Sequence, residues 1–289
     1  CSWTVDLEPY GLVAVRLGSP KVRLFAPQVE VPQGVREVLD TRIRDLGTRA
    51  ASLRNPPSLD GLANPGFEQR GDSKGDAQEG IPGWATSQRK DVAIGLDTTR
   101  RHGGLRSVRL ASTDPVACLI SQPFAAPKTG RFSMLVWLRV AEAGRQPPLR
   151  LAVEWEKHGR DYRFAQVGQA APGQDPVPVG TEWAPYIFQV YDLPLEGAAE
   201  LRVRFDLMGP GEVWIDDVQL SDLAFSRTEL VELSKLITVA NSKLQRGQWG
   251  DCIRLLEGYW PRFLEANVPL SPEAVARKPR PAQTPSKPP

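Results

Sequence analysis

Histidine and methionine are nearly missing from this chain of 289 residues, at two each, and only three cysteines occur. Two histidines, His102 and His158, leave little for a Ser–His or Cys–His nucleophile. Neither has a neighbour at ligand spacing, which excludes a zinc centre. Cys1, Cys118 and Cys252 are far apart and form no Cys-x-x-Cys, so Cys118 and Cys252 read as small buried hydrophobes. A Gly-rich phosphate loop, a Gly-x-Ser-x-Gly elbow and a His-Glu-x-x-His are all missing. So is any run approaching the roughly 18 apolar residues that span a bilayer. Net positive charge is missing from the body of the chain: the net is +2, and Arg277, Lys278, Arg280 and Lys287 against Glu273 give the last segment +3. What remains sums to about −1, which offers no stripe for tracking phosphates and argues against nucleic acid. Carboxylate catalysis needs two acids straddling a sugar. Glu154 and Glu156 would share one strand face roughly 7 Å apart and point in parallel. Nothing here favours an enzyme.

In abundance are glycine (25), proline (27) and tryptophan (8), on an ordinary globular background of 41% hydrophobic and 24% charged residues. That many breakers suit short strands joined by turns rather than a helical bundle. Two extended runs, Leu12–Leu17 and Lys21–Phe25, flank a Gly18-Ser19-Pro20 break. They read as the terminal strands of a preceding β domain over 1–32, since two strands bury no core alone. A chain that begins at Cys1 in this way reads as a cut through a larger protein. The other reading of Cys1 is the lipid-bearing first residue of a lipoprotein.

From residue 33 to 57 the period is helical, with Val35, Val38, Leu39, Ile43, Leu46, Ala50 and Leu53 at spacings of three and four. Asn55-Pro56-Pro57 ends it, because a residue before proline leaves the α region. The expectation is an amphipathic linker helix. From 62 to 223 alternating runs take over: Ser107–Ala111, Arg131–Val140, Leu149–Glu156, Trp183–Tyr191, Leu201–Leu207 and Glu212–Leu220. Eight to ten strands with no helical period between them predict an antiparallel β-sandwich or jelly roll. Ser226-Arg227-Thr228-Glu229 is a capping box. It opens a helical hairpin over 226–270 whose second helix carries Trp249, Ile253, Leu256 and Trp260, with Pro261 limiting or kinking it. Too small to stand alone, the hairpin should dock on the sandwich or on a protein partner. The Pro/Lys-rich tail 271–289 has almost nothing to bury and is expected to be disordered.

Strand parity locates a candidate binding face. In Arg131–Val140 the row from Phe132 to Val140 faces the core and leaves Trp137 and Arg139 outside. The same argument puts Glu154, Arg204, Asp206, Gln189 and Tyr191 outward. If these strands adjoin in one sheet, Trp137 is an aromatic platform ringed by Arg139, Glu154, Gln189, Tyr191, Arg204 and Asp206. Such a surface matches the apolar C–H faces and hydroxyl rim of a sugar. The alternative is that Trp137 and Leu135 lie beneath the terminal helices. Trp84, Trp155, Trp183 and Trp214 read as packing.

Motif order points the same way. Asn64-Pro65-Gly66-Phe67-Glu68 opens the β region, followed by Ile81-Pro82-Gly83-Trp84, His102-Gly103-Gly104-Leu105-Arg106-Ser107-Val108-Arg109-Leu110 and Ser121-Gln122-Pro123-Phe124. Val213-Trp214-Ile215-Asp216-Asp217-Val218-Gln219-Leu220 closes it. This series resembles the jelly-roll carbohydrate-binding modules of the xylan-, glucan- and laminarin-binding kind, with their galactose-binding-like sandwich. The resemblance implies polysaccharide or oligosaccharide as ligand. It also implies a structural calcium at Glu68 and Asp217, with Asp216 competing for the same role. Trp3 to Arg16 is similar to the last strands of the β domain that follows a glycoside hydrolase barrel. The full reading is a non-catalytic accessory module of a secreted or surface bacterial protein that carries such a hydrolase. The alternative is a structural or protein-interaction module with no sugar binding.

Overall fold

A computed structural model describes residues 33–71, 80–87, 89–113, 116–156, 160–170 and 175–270, together with positions 5, 14, 18 and 173. The expected N-terminal strands, His158 and the tail beyond 270 lie outside the described residues, apart from those isolated positions. The helical period from residue 33 gives α1 (Gln33–Ser52). Its buried face is Leu39, Ile43, Leu46 and, just beyond it, Leu53, whereas Val38, assigned to that stripe, points to solvent.

Eleven strands follow among the described residues, and every pairing is antiparallel. One sheet contains β1 (Trp84–Thr86), β4 (Ala117–Ser121), β10 (Glu200–Leu207), β7 (Pro148–Glu156) and β8 (Arg160–Gly168) in that order, with β5 (Phe124–Ala125) also on β10. The other is ordered β2 (Val92–Asp97), β3 (Ser107–Ser112), β11 (Gly211–Ser221), β6 (Phe132–Arg139) and β9 (Ala184–Val190). Alternation puts Met134, Val136 and Leu138 of β6 opposite Leu149, Leu151 and Val153 of β7 and Val203, Phe205 and Leu207 of β10 in a dry core. Each such side chain contributes about 1.5–3 kcal/mol on burial, so a slip of one residue is prohibitive. In β11 the phase does slip: Val213 and Ile215 face the core, then Val218 and Leu220. A bulge between Asp216 and Gln219, with Asp217 at φ 45°, absorbs the extra residue.

The Asn64–Glu68 motif is a plug between the first and last segments of the sandwich. Phe67 is fully buried, Asn64 donates to Pro82 O at 3.0 Å, and Pro65 O accepts from Val218 N at 3.0 Å beside the bulge.

The chain then enters α2 (Arg227–Gln245), α3 (Trp249–Leu256) and α4 (Tyr259–Asn267). The capping box forms as expected, with Ser226 and Glu229 bonded reciprocally. The second helix of the expected hairpin is instead two helices, broken at Glu257–Gly258. Pro261 sits in the first turn of α4, where its missing N–H has no intrahelical acceptor to satisfy. The apolar stripe expected to dock on the sandwich or a partner packs largely on α1. Leu233, Ala240, Leu244, Cys252, Leu256 and Leu264 share one core with Leu39, Ile43 and Leu46. The helix expected as a linker is therefore part of a four-helix unit.

Arg131 joins that unit to the sandwich. Only 8% exposed at the start of β6, it donates to Ala224 O at 2.6 Å and forks onto Glu229 at 2.8 and 3.2 Å. The rings of Tyr191, Phe225, Trp260 and Phe263 stand 5.0 to 5.7 Å from its guanidinium carbon. Replacing Arg131 by Met should leave Glu229 short of its charged partner and lower unfolding stability by about 3 kcal/mol. That figure is the low end for a broken buried pair, because the Glu229 side chain remains 21% exposed. Chemical denaturation checks it, and hydrogen exchange should show α2 and α4 loosening before the sandwich strands.

Candidate functional site

The seven outward residues predicted to form one platform lie on two opposite faces. Strands β6 and β9 belong to the five-stranded sheet and carry Trp137, Arg139 and Gln189, with Tyr191 just beyond. Strands β7 and β10 belong to the other sheet and carry Glu154, Arg204 and Asp206. The parity holds; the adjacency does not, because the chain crosses from one sheet to the other between β6 and β7.

On the five-stranded sheet the indoles are covered. The loop from 98 to 106 folds back over it, stacking His102 on Trp137 with ring centroids 3.6 Å apart and planes 15° from parallel. Arg100 lies 4.2 Å over Trp214, whose Nε1 donates to Asp97 Oδ2 at 2.7 Å. Trp137 is therefore a packing residue beneath a loop, not beneath the terminal helices. Gln189 accepts the Tyr191 hydroxyl at 2.7 Å, and Tyr191 faces Arg131 at the joint.

The same loop brings the expected metal ligands together. Glu68 accepts from Leu105 N and Arg106 N, and Arg106 also donates to the Glu68 carbonyl. Asp217 Oδ2 is 2.6 Å from His102 Nδ1. Asp216 is buried and takes His102 N, Gly103 N and Asp217 N; burial pushes its carboxyl up to about 6 against those bonds. A Cβ on Gly103 would collide with the Asp217 carboxylate, and one on Gly104 with that of Glu68. The glycine pair thus lets both carboxylates pack directly against the loop, and their hard oxygens are of the kind that calcium takes. Among the described residues no group of three or more His, Cys, Asp or Glu side chains is placed to hold a metal, so further ligands would be backbone carbonyls.

The open face is on the six-stranded sheet, in rows set by the register. Arg202, Glu154 and Tyr162 form one row; Ile120, Arg204, Ala152 and Phe164 the next; Cys118, Asp206, Arg150 and Gln166 the third. Asp206 is fully buried beneath two guanidiniums, accepting Arg150 Nε at 2.9 Å, Arg150 Nη2 at 2.6 Å and Arg204 Nε at 2.6 Å. Arg204 continues to Glu154 at 3.2 Å and to Cys118 Sγ at 3.3 Å. Cys118 is half-buried in this face rather than a core hydrophobe. Burial, with Asp206 beside it, pushes its thiol up and keeps it protonated. Both carboxylates of the network are held by guanidiniums.

Beside this network Tyr162 and Phe164 stand 46% and 52% exposed, ring centroids 5.8 Å apart, with Arg150 5.5 and 5.7 Å from them. They are missing from the parity argument because the runs read from the sequence go from Leu149–Glu156 to Trp183–Tyr191, with no strand between. The alternation of Tyr162, Phe164 and Gln166 with Arg163, Ala165 and Val167 was the available signal. An exposed aromatic pair beside a rigid set of donors and acceptors suits a ligand with an apolar face and a polar rim.

The sandwich is similar to carbohydrate-binding modules. A CBM61 module solved in complex with β-1,4-galactotriose matches 56% of this chain and 98% of its own, at 19% identity and a TM-score of 0.36. The CBM22-1 xylan-binding domain of Paenibacillus barcinonensis Xyn10C matches 54% and 90%, at 15% identity and 0.36. A CBM4 structure matches 56% and 99%, at 11% identity and 0.38. These are distant likenesses, each spanning little more than half of the chain. No protein-family model and no curated protein matches it.

The covered face yields a pH prediction. Burial alone would raise the Asp97 carboxyl, but bonds from the Thr99 hydroxyl, the Trp214 indole and the Thr99 and Arg100 amides outweigh it and hold it at about 2. Its folded value lies below its unfolded one, so the stabilisation is complete above about pH 4 and is lost as pH falls towards 2. Asp97→Asn should be less stable than wild type at pH 7, and denaturant titrations should show that gap shrinking between pH 4 and 2.

Proposed function

We propose that this chain is a non-catalytic carbohydrate-binding module that holds a polysaccharide across the outer face of its six-stranded sheet. The observation that carries the reading is the open pair Tyr162 and Phe164 beside the Arg150–Asp206–Arg204–Glu154 network. Aromatic rings meet the C–H faces of sugar rings, and guanidinium N–H groups already oriented by carboxylates meet hydroxyls with little ordering cost. The distant likeness to a galactotriose-bound module and a xylan-binding domain accompanies this reading without carrying it. A secreted or surface location in a bacterium and a place beside a glycoside hydrolase accompany this reading. Among the described residues no helix is long and apolar enough to cross a membrane.

Affinity electrophoresis through gels containing xylan, mixed-linkage glucan or β-1,4-galactan tests the face. Wild type should be retarded by at least one. Tyr162→Ala with Phe164→Ala should weaken binding about a hundredfold, each truncated anchor costing about 1.4 kcal/mol. Trp137→Ala, which uncovers a packed face, should lower the melting temperature and leave retardation intact. Retardation of wild type by none of the three, or its survival in the double variant, overturns the proposal.

A calcium ion held by Glu68 and Asp217 belongs to the same reading. It would link the segment that opens the sandwich to its last strand and supply charge neutralisation at the Gly103–Gly104 turn. A chelator should lower the melting temperature of wild type, and Glu68→Ala should abolish that difference. A midpoint indifferent to chelator sinks the ion.

A further inference from the structure

A hollow of about 560 Å³ opens at one end of the five-stranded sheet, on the side away from Tyr162 and Phe164. Its floor is Ala93 of β2 and Ala111 of β3, cross-strand partners, with Ala111 in turn opposite Glu212 of β11. Elsewhere on this outer face the rows are filled by Arg109 and Trp214 or roofed by the loop from 98 to 106; here two methyl side chains leave the space empty. The volume is that of a small-molecule site.

The rim defines the chemistry. Lys90, Arg109 and Arg145 line it together with Asp91, Glu142 and Glu212, three charges of each sign. Arg109 pairs with Glu212 across the strands, and Arg145 with Glu142 at 3.1 Å. An anion drawn by Lys90 meets Asp91 beside it, and a cation drawn by Asp91 meets Lys90, so neither sign of ligand gains net attraction. A neutral polyhydroxyl ligand instead finds both donors and acceptors above a floor of two alanines.

We propose that this hollow is a second saccharide site, taking a neutral terminal mono- or disaccharide unit. The choice of sugar among neutral polyols rests on the reading of the aromatic face. Sheets in a sandwich stack about 10 Å apart with outer faces turned away from one another, so the two sites are independent and the module can hold two chains at once, one along a face and one by its end.

Amide NMR of the full chain with xylobiose, cellobiose and β-1,4-galactobiose tests this. Saturable shifts are expected at Lys90, Ala93, Ala111 and Glu212 with at least one disaccharide, unchanged in the Tyr162→Ala, Phe164→Ala double variant. Ala111→Trp, which fills the hollow, should weaken them at least tenfold while polysaccharide retention persists. Lys90→Ala with Asp91→Ala, in an exposed turn, should weaken them without moving the melting temperature and serves if Ala111→Trp misfolds. If those amides do not shift with any of the three, or still shift in Ala111→Trp with full affinity, the second site is wrong. If they shift while no polysaccharide is retained, the aromatic-face reading fails and the second site stands.

Discussion

A guanidinium removed from water must keep its charge and find partners for its N–H groups, and the meeting of sandwich and helices is organised around that requirement at Arg131. Its partners come from both bodies: Glu229 and Ala224 O from the helical side, Tyr191 from the sandwich side, and Phe225, Trp260 and Phe263 closing over it. Glu229 is also the third residue of α2 and closes its capping box. One carboxylate thus starts a helix and neutralises the cation that anchors β6. The bond from Ser133 to Leu223 O at 3.0 Å and that from Thr129, in the turn before β6, to Asp222 O extend the connection on either side of Arg131. The helices are positioned on the sandwich by this polar joint as well as by the apolar core they share with α1.

The two outer faces treat aromatic residues in opposite ways. On the five-stranded sheet Trp137 and Trp214 lie beneath His102 and Arg100, so their rings fix a glycine-containing loop and, through it, the carboxylates of Glu68, Asp216 and Asp217. On the six-stranded sheet Tyr162 and Phe164 stand exposed, and among the described residues the neighbouring arginines are held by a carboxylate buried under them. The charges there are ordered without being neutralised by solvent, which is what lets a rigid strand surface present directional N–H groups.

Much of the architecture was legible because it is written in local periods. The 3.6-residue stripe of α1, the alternation of β6, β7 and β10, and the Ser226–Glu229 box each involve residues within a turn or a strand of one another. The outward parity of Trp137, Arg204 and Asp206 was legible for the same reason. The break at Gly258 was not, because Pro261 roughly three turns into a periodic run is compatible both with a kink and with a fresh start. Tyr162 and Phe164 escaped because the alternating runs read from the sequence pass from Leu149–Glu156 to Trp183–Tyr191, with nothing between them taken as a strand.

The sequence by itself determined which side of each strand meets the core and where helices begin, since those follow from side-chain period and from hydrogen bonds spanning three or four residues. Only the tertiary structure decided that β6 and β7 stand in opposite sheets, that α1 packs on α2 to α4, and that His102 covers Trp137 from 35 positions away. Sheet membership and coverage depend on contacts between distant segments, and a side chain's period records that a face is outward, never what lies above it.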